Sequence, residues 1–137
     1  MVKNIFDIFK FHARNNPNHP AITLSNNKSI SYRNLLKDAE KVSCKLFSIG
    51  IRKDDPVCIV SEKSLEAYKL ILGCLKIGAP YFFLDSDQPK KRILEIIEIS
   101  KTKLILTEKK IDLKKSILIK NFFSKKISKK KLEINKA

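Results

Sequence analysis

Residues 56–84 read PVCIVSEKSLEAYKLILGCLKIGAPYFFL. The first six are a short apolar run ended by a serine, too short for a helix and rich in β-branched side chains. Residues 65–77 are apolar on nearly every side and long enough for three helical turns. Ser64 stands before them as an N-cap, and Gly78 stands after them as a stop. Residues 80–84 return to a continuous apolar run. A strand, a buried helix and a second strand without polar alternation are the pattern of parallel strands covered on both faces.

Working outward, the same alternation continues. Residues 3–14 place Ile5, Phe6, Ile8, Phe9 and Ala13 at helical spacing, and Asn15-Asn16-Pro17 ends the pattern. Residues 21–24 and 28–31 are strand candidates around a Ser25-Asn26-Asn27 turn. Ser31 can cap a helix whose stripe is Leu35, Ala39, Val42, Leu46 and Ile49, with Gly50 as its left-handed terminator. After residue 84, Asp87 and Pro89 open a helix carrying Ile93, Leu94, Ile96, Ile97 and Ile99, with Asp87 as a capping residue. Residues 103–107 form a further strand and 117–119 another. The fold class expected is α/β: a partial doubly wound, mostly parallel sheet with helices on both faces.

The chain has 137 residues and a formal net charge of +15, from 29 Lys+Arg against 14 Asp+Glu. Residues 1–100 account for +5 of that, and 101–137, with 13 Lys and 3 acids, for +10. The pattern of elements fades where the charge rises, so residues 108–137 read as a Lys-rich extension, partly disordered, with 124–137 as a frayed tail or a loosely attached helix. The cations are lysines, with Arg only at 14, 33, 52 and 92. Lysine is a solvated point charge, and arginine is the side chain that reads phosphates and base edges bidentately. Phe82 and Phe83 lie in a strand expected to be buried, so they do not make a base-stacking platform. Nucleic acid is not the expected partner. No apolar stretch is long enough to span a bilayer, and no secretory signal opens the chain, so a cytoplasmic protein is expected.

Chemistry-bearing residues are few. Cys44, Cys58 and Cys74 lie 14 and 16 residues apart, outside metal or disulfide spacing, and read as buried small hydrophobes. His12 and His19 pair with no nucleophile, and Asp54-Asp55 reads as a solvated turn. Asp85 and Asp87 follow a strand at the carboxyl edge, where open α/β sheets bind ligands, which gives them a functional alternative to capping. Gly50, Gly73 and Gly78 are scattered, and a phosphate-cradling loop needs several glycines within a few residues.

Five stretches in order carry a resemblance. Ser31-Tyr32-Arg33-Asn34-Leu35 resembles an S/T-Y-x-E-L motif entering a helix. Leu75-Lys76-Ile77-Gly78-Ala79-Pro80-Tyr81-Phe82-Phe83-Leu84-Asp85 resembles L-K-A-G-x-A-Y-x-P-L-D. Gln88-Pro89-Lys90-Lys91-Arg92-Ile93 is similar to Y-P-x-E-R-I/L, residues 103–107 to a K-x-x-L-T strand, and Asn16–Ile22 to N-x-P-D-x-x-A-I/V. These belong to the adenylate-forming, AMP-producing ligases. The pattern is closest to the amino-acid adenylation domains of nonribosomal peptide synthetases and carrier-protein amino-acid ligases. Asn34, Pro80 and Phe83 depart from the usual Glu, Ala and Pro.

The resemblance implies that residues 1–107 are the N-terminal subdomain of such a ligase. Ser31, Tyr32, Leu35, Lys76, Gly78, Tyr81, Asp85, Pro89 and Arg92 are its motif positions and are architectural. It implies no catalytic, cofactor-binding or metal-binding residue in this chain. ATP and Mg²⁺ serve the complete family enzyme, whose glycine-rich phosphate loop, substrate pocket and catalytic lysine are not in this sequence. The expected function is a partial AMP-dependent ligase, inactive alone. The alternatives are a subunit of a split adenylating enzyme completed by a C-terminal ligase chain or working with a carrier protein, and a non-enzymatic basic module for nucleic acid or anionic surfaces. Apolar surface left uncovered implies self-association.

Overall fold

The computed structural model describes residues 5–124. The frayed tail expected at 124–137 lies almost wholly outside them. The chain runs through α1 (Ile5–Asn15), β1 (Pro20–Thr23), β2 (Ser29–Ser31), α2 (Tyr32–Ser48), β3 (Val57–Ser61), α3 (Leu65–Ile77), β4 (Tyr81–Asp85), α4 (Lys90–Ile99), β5 (Leu104–Thr107), β6 (Ser116–Leu118) and α5 (Ile119–Ser124). β1 and β2 form an antiparallel hairpin whose turn puts Asn27 at φ 68°, a left-handed position that asparagine tolerates. The other four strands form one parallel sheet in the order β4-β3-β5-β6.

The caps follow the sequence. Ser31 Oγ accepts the Asn34 N–H at 3.2 Å and Ser64 Oγ accepts the Ala67 N–H at 3.1 Å. Gly78 ends α3 at φ 86°, where its own N–H and that of Ala79 both donate to the Cys74 carbonyl. Gly50, at φ 109°, follows the Ile49 C-cap of α2 in the same role. The start of α4 differs from expectation. Its N-cap is Pro89, with no side-chain cap, and Asp87 instead donates its N–H to Asp85 Oδ1 at 2.9 Å. The Asp85 carboxylate closes a local turn there, which leaves Asp87 outside the helix.

Strand order explains where the core sits. β3 connects through α3 to β4 on one side, and β4 connects back through α4 to β5 on the other side of β3. With right-handed crossovers, opposite directions of travel put α3 and α4 on opposite faces. Val57, Ile59, Leu104 and Leu106 therefore face α2 and α3, packing with Leu46, Leu70 and Cys74. Cys58, Val60, Leu84 and Ile105 face α4, packing with Ile93 and Ile97. The α/β sandwich with a parallel sheet and helices on both faces is present as expected. Gly73 lets α3 approach α2 so closely that a Cβ on it would meet Val42 Cγ1 at 2.3 Å.

Two burial expectations are corrected. β4 is a sheet edge, so Phe82 is 40% exposed and Phe83 only partly covered. Cys44 is exposed, because it falls on the outer side of α2 away from the Val42–Leu46 stripe; Cys58 and Cys74 are buried. The extension after residue 107 supplies β6 and α5, which bury Ile117, Ile119 and Phe122 against the α2/α3 side of the sheet. Lys45 Nζ donates to the Phe122 carbonyl and lies 5.2 Å from the centre of its ring, tying α5 to α2.

Candidate functional site

In an open parallel sheet, the place for a ligand is the crevice between strand ends whose onward connections diverge. β3 leads toward β4 and β5 leads toward β6, so that crevice lies between the carboxyl ends of β3 and β5. A cleft of about 260 Å³ opens there. Val60, Ile93, Leu94 and Ile111 give it an apolar floor, while Ser86, Gln88 and Thr107 supply polar atoms and Lys90, Lys109 and Lys110 add three cations.

The polar groups around it are already knitted together. Ser86 Oγ donates to Glu108 Oε1 at 2.9 Å, and the Glu62 N–H reaches Glu108 Oε2 at 3.5 Å. The Glu108 N–H donates to the Val60 carbonyl at 2.9 Å, and the Ser86 N–H to the Ser61 carbonyl at 3.2 Å. One carboxylate thus ties the loops that follow β3, β4 and β5. Thr107 Oγ1 donates to the Lys109 carbonyl at 2.7 Å, and Ser61 Oγ to the Glu62 carbonyl at 2.7 Å. With these hydroxyls committed to protein acceptors, the cleft offers shape and positive charge, and no histidine lines it.

The motif residues are placed differently. Ser31 caps α2, Leu35 is buried beneath it, and Tyr32 sits 6.0 Å ring to ring from Phe9, which seats α1 on α2. Lys76 reaches Glu40 at 3.5 Å and lies 5.7 Å from the centre of the Phe6 ring. Gly78 closes α3, and Tyr81 packs on the core from the edge strand. Pro89 opens α4, and Arg92 is exposed on its first turn. The fold does not gather these nine positions into one site. Asp85 and Asp87 are exposed beside the cleft without lining it. Of the polar residues that do line it, Gln88, Lys90 and Thr107 fall within the motif stretches 88–93 and 103–107, and Ser86, Lys109 and Lys110 lie outside them. Their position just past strand ends is the signal that finds them.

Burial pushes the Cys58 thiol up to about 11, with Lys115 opposing, and the Cys74 thiol up to about 12. Both are inert structural thiols. Among the described residues no group of three or more His, Cys, Asp or Glu could hold a metal ion. The three glycines have backbone duties: Gly50 and Gly78 terminate helices and Gly73 admits Val42. Among the described residues the glycines thus form no phosphate-cradling run of backbone N–H groups. No helix among the described residues is long and apolar enough to cross a membrane.

Comparison with known proteins adds the following. The family model described as AMP-binding enzyme matches residues 9–136. Tyrocidine synthase 1 of Brevibacillus parabrevis is 34% identical over 109 residues, covering 80% of this chain and 10% of that protein. Bacitracin synthase 2 of Bacillus licheniformis is 34% identical over 102 residues, covering 74% of this chain and 4% of that protein. Among solved structures, the N-terminal subdomain of Klebsiella oxytoca NpsA superposes with a TM-score of 0.82 at 22% identity, over 91% of this chain and 34% of that one. The chain thus spans a tenth or less of these curated relatives and about a third of that structure.

Proposed function

The chain belongs to the AMP-binding enzyme family, and we propose that it is the N-terminal scaffold of an amino-acid or carboxylic-acid adenylating ligase, without adenylating activity of its own. Residues 1–107 hold the motif-bearing part of the unit, and 108–124 close it with β6 and α5. The observation that carries the reading is the employment of the glycines. The family's chemistry needs a glycine-rich loop around the ATP phosphates, and Gly50, Gly73 and Gly78 are each held by helix termination or helix packing. What the chain provides is a preformed sheet edge on which a phosphate loop carried by further polypeptide can act.

The test is ATP–pyrophosphate exchange with a panel of amino and aryl acids, first with the 137-residue chain alone and then mixed with a polypeptide that begins at the glycine-rich loop of a relative. No exchange alone and exchange on mixing is the expected pair of results. Exchange by the chain alone overturns the proposal. Self-association belongs to the same reading. Among the exposed apolar side chains Phe82 stands on the outer strand of the sheet, where a second chain can reach it.

A further inference from the structure

We propose that the outer edge of β4 is a self-pairing surface, where two copies of this chain join antiparallel through residues 81–85. The two edges of the sheet are protected unequally. β6 is three residues long and is flanked by Lys114, Lys115 and Lys120. Short length and lysines are the usual defences of an exposed strand. β4 is five residues long and reads YFFLD, with no lysine and no proline inside it, in a chain that otherwise carries 29 basic residues. Among the described residues β4 pairs only with β3.

The hydrogen-bond parity decides how a second strand fits. The Val57 N–H donates to the Pro80 carbonyl at one end of the β3–β4 ladder, and the Ser86 N–H donates to the Ser61 carbonyl at the other. In a parallel ladder alternate residues of a strand face the partner, so Phe82 and Leu84 direct their main-chain groups to β3. Tyr81, Phe83 and Asp85 then direct theirs to the free edge. A two-fold axis through Phe83 matches this set to itself. Phe83 exchanges both bonds with Phe83 of the second copy, and Tyr81 exchanges with Asp85 of the second copy in each direction. The intervening non-bonded pair is Phe82 with Leu84 of the second copy, which covers the exposed ring with an apolar neighbour. An axis through Phe82 or Leu84 would oppose groups already spent on β3. The result is an isologous interface and one continuous eight-stranded sheet.

Two five-residue strands make a small footprint, at the weak end of protein interfaces, so the pairing is expected to be concentration-dependent. Each copy carries +15, so charge opposes the pairing and added salt strengthens it. The proposal names a surface for the self-association of the preceding reading but does not depend on the ligase assignment, since an exchange assay and a sedimentation run fail independently.

The test uses the full chain in sedimentation equilibrium from about 20 µM to about 1 mM at low and high salt, with amide hydrogen exchange at both ends of that range. A monomer–dimer equilibrium is expected, strengthened by salt. The amides of Tyr81, Phe83 and Asp85 should exchange more slowly as concentration rises, while those of Phe82 and Leu84 stay unchanged. Phe82→Lys should weaken the dimer by about tenfold or more, and Phe11→Lys and Ile99→Lys should leave it intact. The proposal is overturned by a monomer at every concentration, by edge amides whose protection is independent of concentration, or by dissociation in Phe11→Lys or Ile99→Lys but not in Phe82→Lys. The exchange pattern is read on the unaltered chain, so the test survives a variant that fails to fold.

Discussion

Replacing Gly73 by alanine tests how closely α2 and α3 are packed. An added Cβ would stand 2.3 Å from Val42 Cγ1, 2.8 Å from Val42 Cβ and 3.3 Å from the Ser43 nitrogen. Carbon atoms in contact prefer roughly 3.5–4.0 Å, so the helices must separate by about 1 Å. Val42 cannot swing aside easily, since a β-branched residue in a helix has one strongly preferred rotamer. Overpacking costs about 1–3 kcal/mol, and a clash this deep belongs at the upper end. Alanine returns about 1 kcal/mol as a better helix former. The net expectation is a loss of about 2 kcal/mol, or roughly 8 °C in Tm for a chain of this length. Urea denaturation followed by circular dichroism measures it. In a Val42→Ala background the deepest contact, with Cγ1, is gone and those with Cβ at 2.8 Å and the Ser43 nitrogen at 3.3 Å remain, so the same change should cost less, about 1 kcal/mol. An unchanged or raised midpoint for Gly73→Ala, or an equal penalty in both backgrounds, refutes the close-approach reasoning.

Other outcomes follow from named contacts. Phe122→Ala empties a position that is 1% exposed in the α2/α3 core and should cost about 3–5 kcal/mol by equilibrium unfolding; a loss under about 1 kcal/mol would show α5 to be peripheral. Native thiol titration should label Cys44 at once and Cys58 and Cys74 only on unfolding. Those two thiols hold their protons to a higher pH in the fold than in the open chain. Above about pH 9 the unfolded state therefore binds fewer protons, and stability should fall by about 1.4 kcal/mol per pH unit for each thiol until the folded values near 11 and 12 are reached. Cys58→Ala should remove one of the two contributions, and a midpoint independent of pH between those limits would contradict the assignment.

How much of this was legible in the sequence depends on how local each feature is. Ser31, Ser64 and Gly78 act within four residues of themselves, so their capping roles read directly from spacing and were found in place. Asp87 looked equally local, but the neighbouring Asp85 carboxylate captured its N–H and left Pro89 to open α4. The burial of Phe82 could not be read, because apolar runs in central and edge strands look alike and only the strand order separates them. Cys44 was legible in principle: two residues past Val42 on a helix is the opposite face. The cleft was the least visible feature. Its defining contact, Ser86 to Glu108, joins residues 22 apart, and two of its three lysines, Lys109 and Lys110, lie in a loop without periodicity.

The position of β3 bears on how the chain acquires its structure in time. β3 is the first of the four parallel strands to leave a ribosome, and it pairs on one side with residues 81–85 and on the other with 104–107. Its second neighbour is thus made about forty residues after it. Until then residues 57–60 have one flank unpaired, and Cys58 and Val60 lack Ile105 beside them on the α4 side. Non-local pairing of this kind is slow, because the intervening chain must be closed into a loop before any contact rewards it. The earliest strand of the sheet is therefore among the last to be completed, and the interval before Thr107 emerges is when this chain is most open to misassembly.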